Sequence, residues 1–236
     1  MRRLAVFLGA LFVFTALVAA QPELVPSGVE PVFHRFLSRA DEPVVTYRGT
    51  RRLEGRNDRF NVAGWMEIAT ELTAQGWHYR VLGEGGSDLI RHRVFRSMLD
   101  NEQQIFANGD ESRSSFTANN YDLTPTDASE PGLVKLFARP KRKDVTLIDG
   151  ALYITDTDAD LVRVEGRLAK SPSFWTRRVD VVKQYARVGG LRVPVRIDST
   201  AQIRFAGTST MTMTYDYEMI NGVDVSSLGA VTTVTH

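Results

Sequence analysis

Three aspartates with alternate spacing are the first residues in this sequence whose pattern could bind a metal ion. Asp156, Asp158 and Asp160 stand at every second position, which is how a calcium-binding loop begins. In such a loop the sixth residue is glycine and the twelfth is glutamate, whereas those positions here hold Leu161 and Arg167. We therefore predict a polar turn between two strands, and no bound cofactor.

The histidines and serines lack the spacing of catalytic motifs. His34, His78 and His92 form no His-Glu-x-x-His zinc motif, and we predict structural or exposed positions for them. Ser87 follows a run of glycines, but Leu89 stands where a nucleophile elbow needs its second glycine. The chain has no cysteine, which excludes thiolate metal sites and cysteine catalysis. These absences predict a protein that is not an enzyme.

A run of three cations, Lys141-Arg142-Lys143, could contact an anionic head group or an acidic membrane surface. The alternative, which the pattern favours, is a solvated turn between strands at 133–140 and 144–149. The formal net charge of the whole chain is only +1. A chain so balanced has no field that would attract nucleic acid.

Methionines and aromatic residues are the side chains most suited to an apolar ligand. Methionine is flexible and adapts to varied apolar partners, and each buried methylene of a ligand contributes about 0.8 kcal/mol. A sheet lined in this way could hold an acyl chain, or it could be an ordinary core filled by helices. The residues are Met66, Met98, Met211, Met213, Met219, Trp65, Trp77, Trp175, Tyr215 and Tyr217.

The first 20 residues have the pattern of a cleavable secretory signal. A cationic start at residues 1–3 precedes an uncharged run from Leu4 to Val18, and small residues lead up to Ala20. That run has 15 residues, fewer than the roughly 20 of a membrane-spanning helix. We expect cleavage after Ala20, a periplasmic chain of 216 residues with a net charge of −1, and no transmembrane segment after cleavage.

Two helices and a long series of strands are predicted from the spacing of apolar residues. Ser27 and Glu30 fit a capping box for a helix at about 29–40, and Ser87 can cap a second helix that runs to about Phe106. Elsewhere apolar and polar residues alternate, and Asp149-Gly150 between two apolar runs predicts a hairpin. The predicted strands are 44–54, 60–72, 76–84, 116–124, 133–140, 144–149, 151–156, 161–169, 176–187, 192–198, 201–206 and 209–219.

So many strands exceed what one flat sheet holds, and twist curls such a sheet. We predict an α+β, mostly β fold: a curved antiparallel sheet of about eleven strands that forms a half-open barrel with two covering helices. The sequence shows no linker that would divide two domains. We expect one domain at 29–222, preceded by a signal peptide (1–20) and a short leader (21–28) and followed by a tail (223–236).

This order of elements resembles the periplasmic lipoprotein-sorting group that includes LolA, LolB and the N-terminal domain of RseB. The stretch 152–168 and the following Ser171-Pro172-Ser173-Phe174-Trp175 carry most of the resemblance, and Tyr215-Asp216-Tyr217 before Asn221-Gly222 adds to it. In that group an incomplete barrel, lidded by helices, binds lipid chains. The chain departs from LolB in having no lipidation cysteine and from RseB in having no room for a second domain, and no ligand contact is carried over.

The resemblance and the alternating apolar face lead to three hypotheses. The first is a periplasmic, non-enzymatic carrier or sensor that binds an acyl chain or a lipoprotein, with an envelope protein as a further partner. The second is a structural or regulatory interaction module with a filled core, and the third is an envelope hydrolase whose carboxylates meet only in space. Counting by twos places eight residues on the concave side, where they would line an apolar cavity. They are Met66, Ile68, Val164, Val181, Tyr185, Ile203, Met213 and Tyr215.

Overall fold

The computed structural model describes residues 28–39, 42–126 and 130–228. The expected signal peptide, nearly all of the expected leader and the expected helix cap Ser27 lie outside the described residues. Within them the fold class is the predicted one: an open antiparallel sheet of eleven strands with two helical segments. No described helix has the length and apolar character needed to span a bilayer.

The strands account for most of the described chain. They are β1 (Tyr47–Asn57), β2 (Val62–Thr73), β3 (Gly76–Gly86), β4 (Tyr121–Pro125), β5 (Leu133–Pro140), β6 (Ile148–Thr155), β7 (Leu161–Leu168), β8 (Thr176–Val188), β9 (Leu191–Ile203), β10 (Gly207–Ile220) and β11 (Val223–Asp224). Their order in the sheet is β3-β2-β1-β10-β9-β8-β7-β6-β5-β4, and β11 pairs with β10. The β1–β10 pairing therefore joins the start of the domain to its end, and β3 and β4 form the two edges.

Two helical segments cover one face of this sheet, which we call the inner face. The first is α1 (Val29–Ser38), preceded by Gly28 without a side-chain cap. The second segment consists of α2 (Asp88–Ile90), a π-helical stretch (Arg91–Arg96) and α3 (Ser97–Ala107). Short 3₁₀ turns follow at Glu111–Ser114 and Val225–Leu228.

Two hydrophobic clusters lie beneath these two covers. The α1 cluster contains the buried residues Val29, Val32, Phe36, Tyr121, Val134, Leu136, Ala138, Leu147, Ile148, Leu152, Ile154, Ala159, Leu161, Val164 and Val181. The α3 cluster contains Tyr47, Leu53, Met66, Ile68, Trp77, Ile90, Phe95, Leu99, Val188, Leu191, Val193, Met213 and Ile220. The core beneath the helices is therefore divided between the two flanks of one sheet.

Glycines let the second helical segment approach the sheet closely. Gly55 of β1 pairs with Gly64 of β2. A Cβ atom at Gly55 would lie 3.1 Å from side-chain atoms of Ile90 and Phe95, and one at Gly64 would lie 3.3 Å from Ile90. Because these two positions have no side chain, the apolar residues of the second helical segment can pack directly against the strands.

Two predicted strand breaks are wrong. Asp149-Gly150 forms no hairpin and lies inside β6, where Gly150 pairs with Gly166 of β7. A Cβ atom at Gly150 would lie only 2.0 Å from the carbonyl oxygen of Glu165, so this glycine permits a close approach of two strands instead of a turn. The predicted break between 198 and 201 is also absent, because β9 runs through it.

Candidate functional site on the inner face between the helical covers

The two covers leave the middle of the inner face between them. α1 packs against β4 and β5, at one edge of the sheet, and the second helical segment packs against β2 and β3 at the other. In the strand order, β7 to β10 lie between these flanks. The candidate site is the inner face of these central strands.

One row of directly paired residues crosses the inner face from flank to flank. Residues opposite one another in neighbouring strands share a face, so the pairing places the whole row on the side of the helices. In order across the sheet, this central row consists of Leu136, Leu152, Val164, Lys183, Ile197, Met213, Leu53 and Met66. Its two ends are buried under the covers, whereas Lys183 and Ile197 in the middle remain partly exposed.

Other apolar side chains around the middle of the central row are also only partly covered. Tyr185, Met211 and Tyr215 are half-buried, although each packs against one of the two clusters. Ile197 packs against both clusters, and it therefore marks the junction of the two flanks. The central strands thus present an apolar surface that the helices do not fully fill.

The structure brings seven of the eight predicted site residues into the two clusters. Val164, Val181 and Tyr185 belong to or pack on the α1 cluster. Met66, Ile68, Met213 and Tyr215 belong to or pack on the α3 cluster. Ile203 belongs to neither cluster, because it is the last residue of β9, opposite Gly207 at the end of the sheet. Whether these residues contact a ligand stays a prediction.

Lys183 is the residue of this site that sequence reasoning missed. It lies in β8 between Val181 and Tyr185, and its cross-strand neighbours are Val164 and Ile197. Burial lowers the pKa of its ammonium group, and the Glu102 carboxylate acts in the opposite direction. The sequence spacing could have identified it, because Lys183 is two residues from both Val181 and Tyr185 and alternate residues of a strand share one face.

A buried arginine network joins the α3 cluster to its helix. Arg51 of β1 is buried and donates to both carboxylate oxygens of Glu102 in α3, at 2.8 and 3.0 Å. It also donates to the hydroxyl of Tyr47, which accepts a further hydrogen bond from the indole N–H of Trp77. The guanidinium lies 4.7 Å from the ring centre of Tyr215. This flank therefore contains a paired charge beneath its cover.

The tyrosines that line the middle of the inner face are held in their neutral form. Burial raises the pKa of Tyr185 to about 12, and burial also raises the pKa values of Tyr215 and Tyr217. The Tyr217 hydroxyl donates to the carbonyl of Pro194 at 2.9 Å. At neutral pH these side chains add apolar ring surface without adding negative charge.

The alternate aspartates form the predicted polar turn, between β6 and β7. Asp160 accepts hydrogen bonds from Arg187 at 2.6 and 2.8 Å, and Arg192 lies 3.7 Å away. Arg39, which follows α1, donates to the carbonyl of Asp158 at 2.7 Å. Arginines occupy this turn, which ties the end of α1 to the sheet.

The other candidate motifs occupy ordinary surface positions. His34, His78 and His92 are exposed, as predicted. The 141–143 run lies in the connection between β5 and β6, where Arg142 donates to the side chain of Asn120 at 2.7 Å. Within the described residues, no three His, Asp or Glu side chains come together as a metal site requires.

A groove of about 480 Å³ opens on the face of the sheet opposite the helices. Trp65 lines it, and the Arg52 guanidinium lies 4.9 Å from the centre of the Trp65 ring. Gly83 and Gly85 of β3 make room for this indole, since a Cβ atom at Gly85 would lie 2.7 Å from Trp65 Nε1. The arginine and the tryptophan thus cover each other, and the groove is separate from the inner face.

Comparison with solved structures finds two similar chains, each over about four fifths of this chain. The chain is similar to a LolA superfamily protein from Nitrosomonas europaea, with a TM-score of 0.38, 12% sequence identity, and coverage of 80% of this chain and 91% of the other. It is also similar to a DUF1329 family protein from Desulfovibrio piger, with a TM-score of 0.37, 8% identity, and coverage of 81% and 91%.

No family model matches the sequence. No curated protein matches it either.

Proposed function

We propose that this protein is a periplasmic, non-enzymatic carrier or sensor that binds an acyl chain or a lipid-modified protein on its inner face. The observation that carries the proposal is the partly exposed apolar surface of β8 to β10 between the two helical covers. Ile197, Met211 and Tyr215 belong to it. Partly covered aromatic and methionine side chains suit a flexible hydrocarbon ligand.

The physical basis is the gain from removing apolar surface from water on both partners. Each methylene of an acyl chain that leaves water contributes about 0.8 kcal/mol, so a chain of about ten methylenes could be held by contacts of this kind alone. The neutral tyrosines of the inner face add ring surface without a charge that would repel an anionic lipid. The ligand would lie along the central strands, with α1 and the second helical segment beside it.

Native mass spectrometry and displacement of a fluorescent fatty acid test the proposal. Ile197→Trp places a large ring in the middle of the central row and should weaken binding at least about tenfold, the equivalent of about 1.4 kcal/mol. Thr200→Trp is the matched control, because Thr200 lies on the opposite face of the same strand. Thermal unfolding should show that both variants stay folded.

Absence of lipid binding by the wild-type protein would also be informative. A wild-type protein that carries no lipid from its host and binds no fluorescent fatty acid would contradict the carrier proposal. It would favour the interaction module with a filled core.

A further inference from the structure

The central row contains one charged residue among seven apolar ones. Lys183 stands between Val164 and Ile197 in this row. Within the described residues, no hydrogen bond or ion pair holds its ammonium group, and the Glu102 carboxylate acts on it only at longer range. A charge that is partly removed from water among apolar side chains carries a cost, so a lysine in such a place calls for an explanation.

The surroundings of Lys183 differ from those of the buried cation nearby. Arg51 on the same face is neutralised by Glu102 at 2.8 Å and surrounded by aromatic rings. Lys183 instead lies in the partly exposed middle of the face, where the proposed ligand would lie. Its position therefore supplies a positive charge beside the partly exposed apolar surface of the central strands.

We propose that Lys183 binds the anionic head group of the ligand, a carboxylate or a phosphate attached to an acyl chain. This inference rests on the proposed function and adds ligand selectivity to it. The ammonium group would form charge-assisted hydrogen bonds to the anionic oxygens, which are stronger than bonds between neutral groups. The acyl chain would then extend over the apolar neighbours of Lys183 in the central row.

Binding of three ligands with the same hydrocarbon chain tests this inference. Hexadecanoate and hexadecyl phosphate carry the charge, and hexadecanol does not. We expect the wild-type protein to bind at least one of the two anions about tenfold or more tightly than the alcohol. The stronger of the two anions identifies the head group.

Lys183→Met keeps the length of the side chain and removes its charge. It should abolish the preference for the anion and leave hexadecanol binding within about twofold of wild type. Lys135→Met is the matched control, because Lys135 lies on the outer face of β5 beside Phe137 and Tyr153; it should keep the preference. Equal binding of all three ligands by the wild type, or a preference that survives in Lys183→Met, overturns this inference alone. Binding of none of them overturns the proposed function as well.

A second, independent observation concerns three loops at one end of the sheet, which we call the tip: residues 58–61, 169–175 and 204–206. The register places them side by side. Asn57, at the end of β1, donates to the carbonyl of Ala206 at 2.9 Å, and Arg204 donates its backbone N–H to the carbonyl of Trp175 at 2.8 Å.

Four large aromatic side chains of the tip are exposed. The exposed fractions are 78% for Phe205, 72% for Phe174, 58% for Phe60 and 56% for Trp175. The Trp175 ring lies 5.5 Å from that of Phe174 and 6.4 Å from that of Phe205. The contiguous exposed rings of Phe174, Trp175 and Phe205 are of the kind that marks a surface for contact with another molecule.

The charge around these rings is positive. Arg59, Lys170 and Arg204 lie in the three loops, whereas Asp58 is their single acidic residue. Arg56 pairs with Asp58, and Arg204 lies 4.6 Å from the centre of the Phe174 ring. Aromatic side chains combined with cations suit the interface of a bilayer whose head groups are anionic.

We infer that the tip docks on an anionic membrane surface. The aromatic rings would enter the boundary between head groups and acyl chains, and the cations would contact the lipid phosphates. This places the end of the sheet, and not its inner face, on the membrane. The inference is independent of what the inner face binds.

Sedimentation with vesicles tests the docking. We expect binding to phosphatidylcholine vesicles that contain about 30% phosphatidylglycerol, weaker binding to pure phosphatidylcholine, and a decrease as salt rises. The combined change Phe174→Ser, Trp175→Ser and Phe205→Ser should weaken binding about tenfold or more. Phe137→Ser, an exposed aromatic residue of β5 on the outer face, is the control and should bind as the wild type does.

A second variant separates the charge from the rings. Lys170→Gln with Arg204→Gln should lower binding to the anionic vesicles about fivefold for each cation removed and leave binding to neutral vesicles unchanged. Docking is overturned if the serine variant binds as tightly as wild type, or if the wild type does not sediment with either kind of vesicle. Dimerisation that depends on the three aromatic residues, without vesicle binding, would show instead that the tip contacts a second copy of the chain.

Discussion

The two helical covers rest on the same sheet, but different interactions hold them. Under α1 the contact is apolar, through Val32 and Phe36, and polar bonds occur at its end, where Arg39 reaches the turn between β6 and β7. Under the second helical segment, Arg51 and Glu102 form an ion pair inside the contact.

Further polar bonds surround the second cover. The Tyr79 hydroxyl donates to Asp100 at 2.9 Å, and Arg91 and Arg96 both pair with Glu84 of β3. Directional bonds of this kind hold a helix at one position on the sheet, whereas the mainly apolar contact under α1 allows the helix to shift and separate gradually. We therefore expect α1 to detach first and the second segment to detach only when the sheet unfolds.

The largest loss of stability should come from a change in the apolar contact between the second helical segment and the sheet. Phe95→Ala removes a fully buried ring that packs over Gly55, and we expect a loss of about 3–5 kcal/mol in the free energy of unfolding. Urea denaturation measures it. The neighbouring Val94→Ala is the control because Val94 is exposed; a loss of the same size there would contradict the assignment of faces.

The ion pair beneath α3 should contribute the next largest effect. Glu102→Leu leaves Arg51 buried without its carboxylate partner, and we expect a loss of about 2–3 kcal/mol, since Glu102 itself keeps some solvent exposure. The double variant Arg51→Met, Glu102→Leu should recover part of this loss. If the double variant is as unstable as the sum of the single ones, the pair is not what holds the second cover.

A pH-dependent effect is expected on the α1 flank. Burial tends to raise the pKa of Asp144, but hydrogen bonds from Thr146 and Arg113 outweigh it and hold the pKa at about 2, below the usual 3.8. The resulting stability is present above about pH 4 and is lost as the pH falls through 2. Asp144→Asn should therefore cost about 2 kcal/mol at pH 7.

Denaturation curves measured at pH 7 and near pH 2 check this expectation, because most of the difference between wild type and Asp144→Asn should be lost at the lower pH. Asp122→Asn, at an exposed position, should differ from wild type at neither pH. A difference near pH 2 that is as large as the one at pH 7 would contradict the role of the Asp144 charge.

The smallest global effect should belong to α1. Val32→Ala removes a buried side chain from the apolar contact between α1 and the sheet, and we expect a loss of about 1–2 kcal/mol in the free energy of unfolding. Hydrogen exchange should show faster opening of α1 and unchanged protection of α3, with Leu37→Ala as the exposed control in the same helix. Faster exchange in both helices would show that the two covers open together.

The period-two alternation assigns strand residues to a face without knowledge of the pairing, because successive side chains of a strand point to opposite sides whatever the strand's partners are. Met66, Val164 and Met213 lie in the central row for that reason. Sequence spacing does not show whether a glycine lies in a turn or within a strand. The sequence predicted a turn at Gly150, whereas the close packing of β6 on β7, in which Gly150 pairs with Gly166, makes this glycine part of a strand.

The sequence by itself determined the class of fold, the two helices and the alternating inner face, since these depend on the spacing of nearby residues. Only the tertiary structure decided that β1 pairs with β10, that the two covers lie on opposite flanks, and that Lys183 lies in an apolar row. Each of these depends on contacts between residues far apart in the chain. Their pairing follows from the free energy of the whole sheet, which no local pattern encodes.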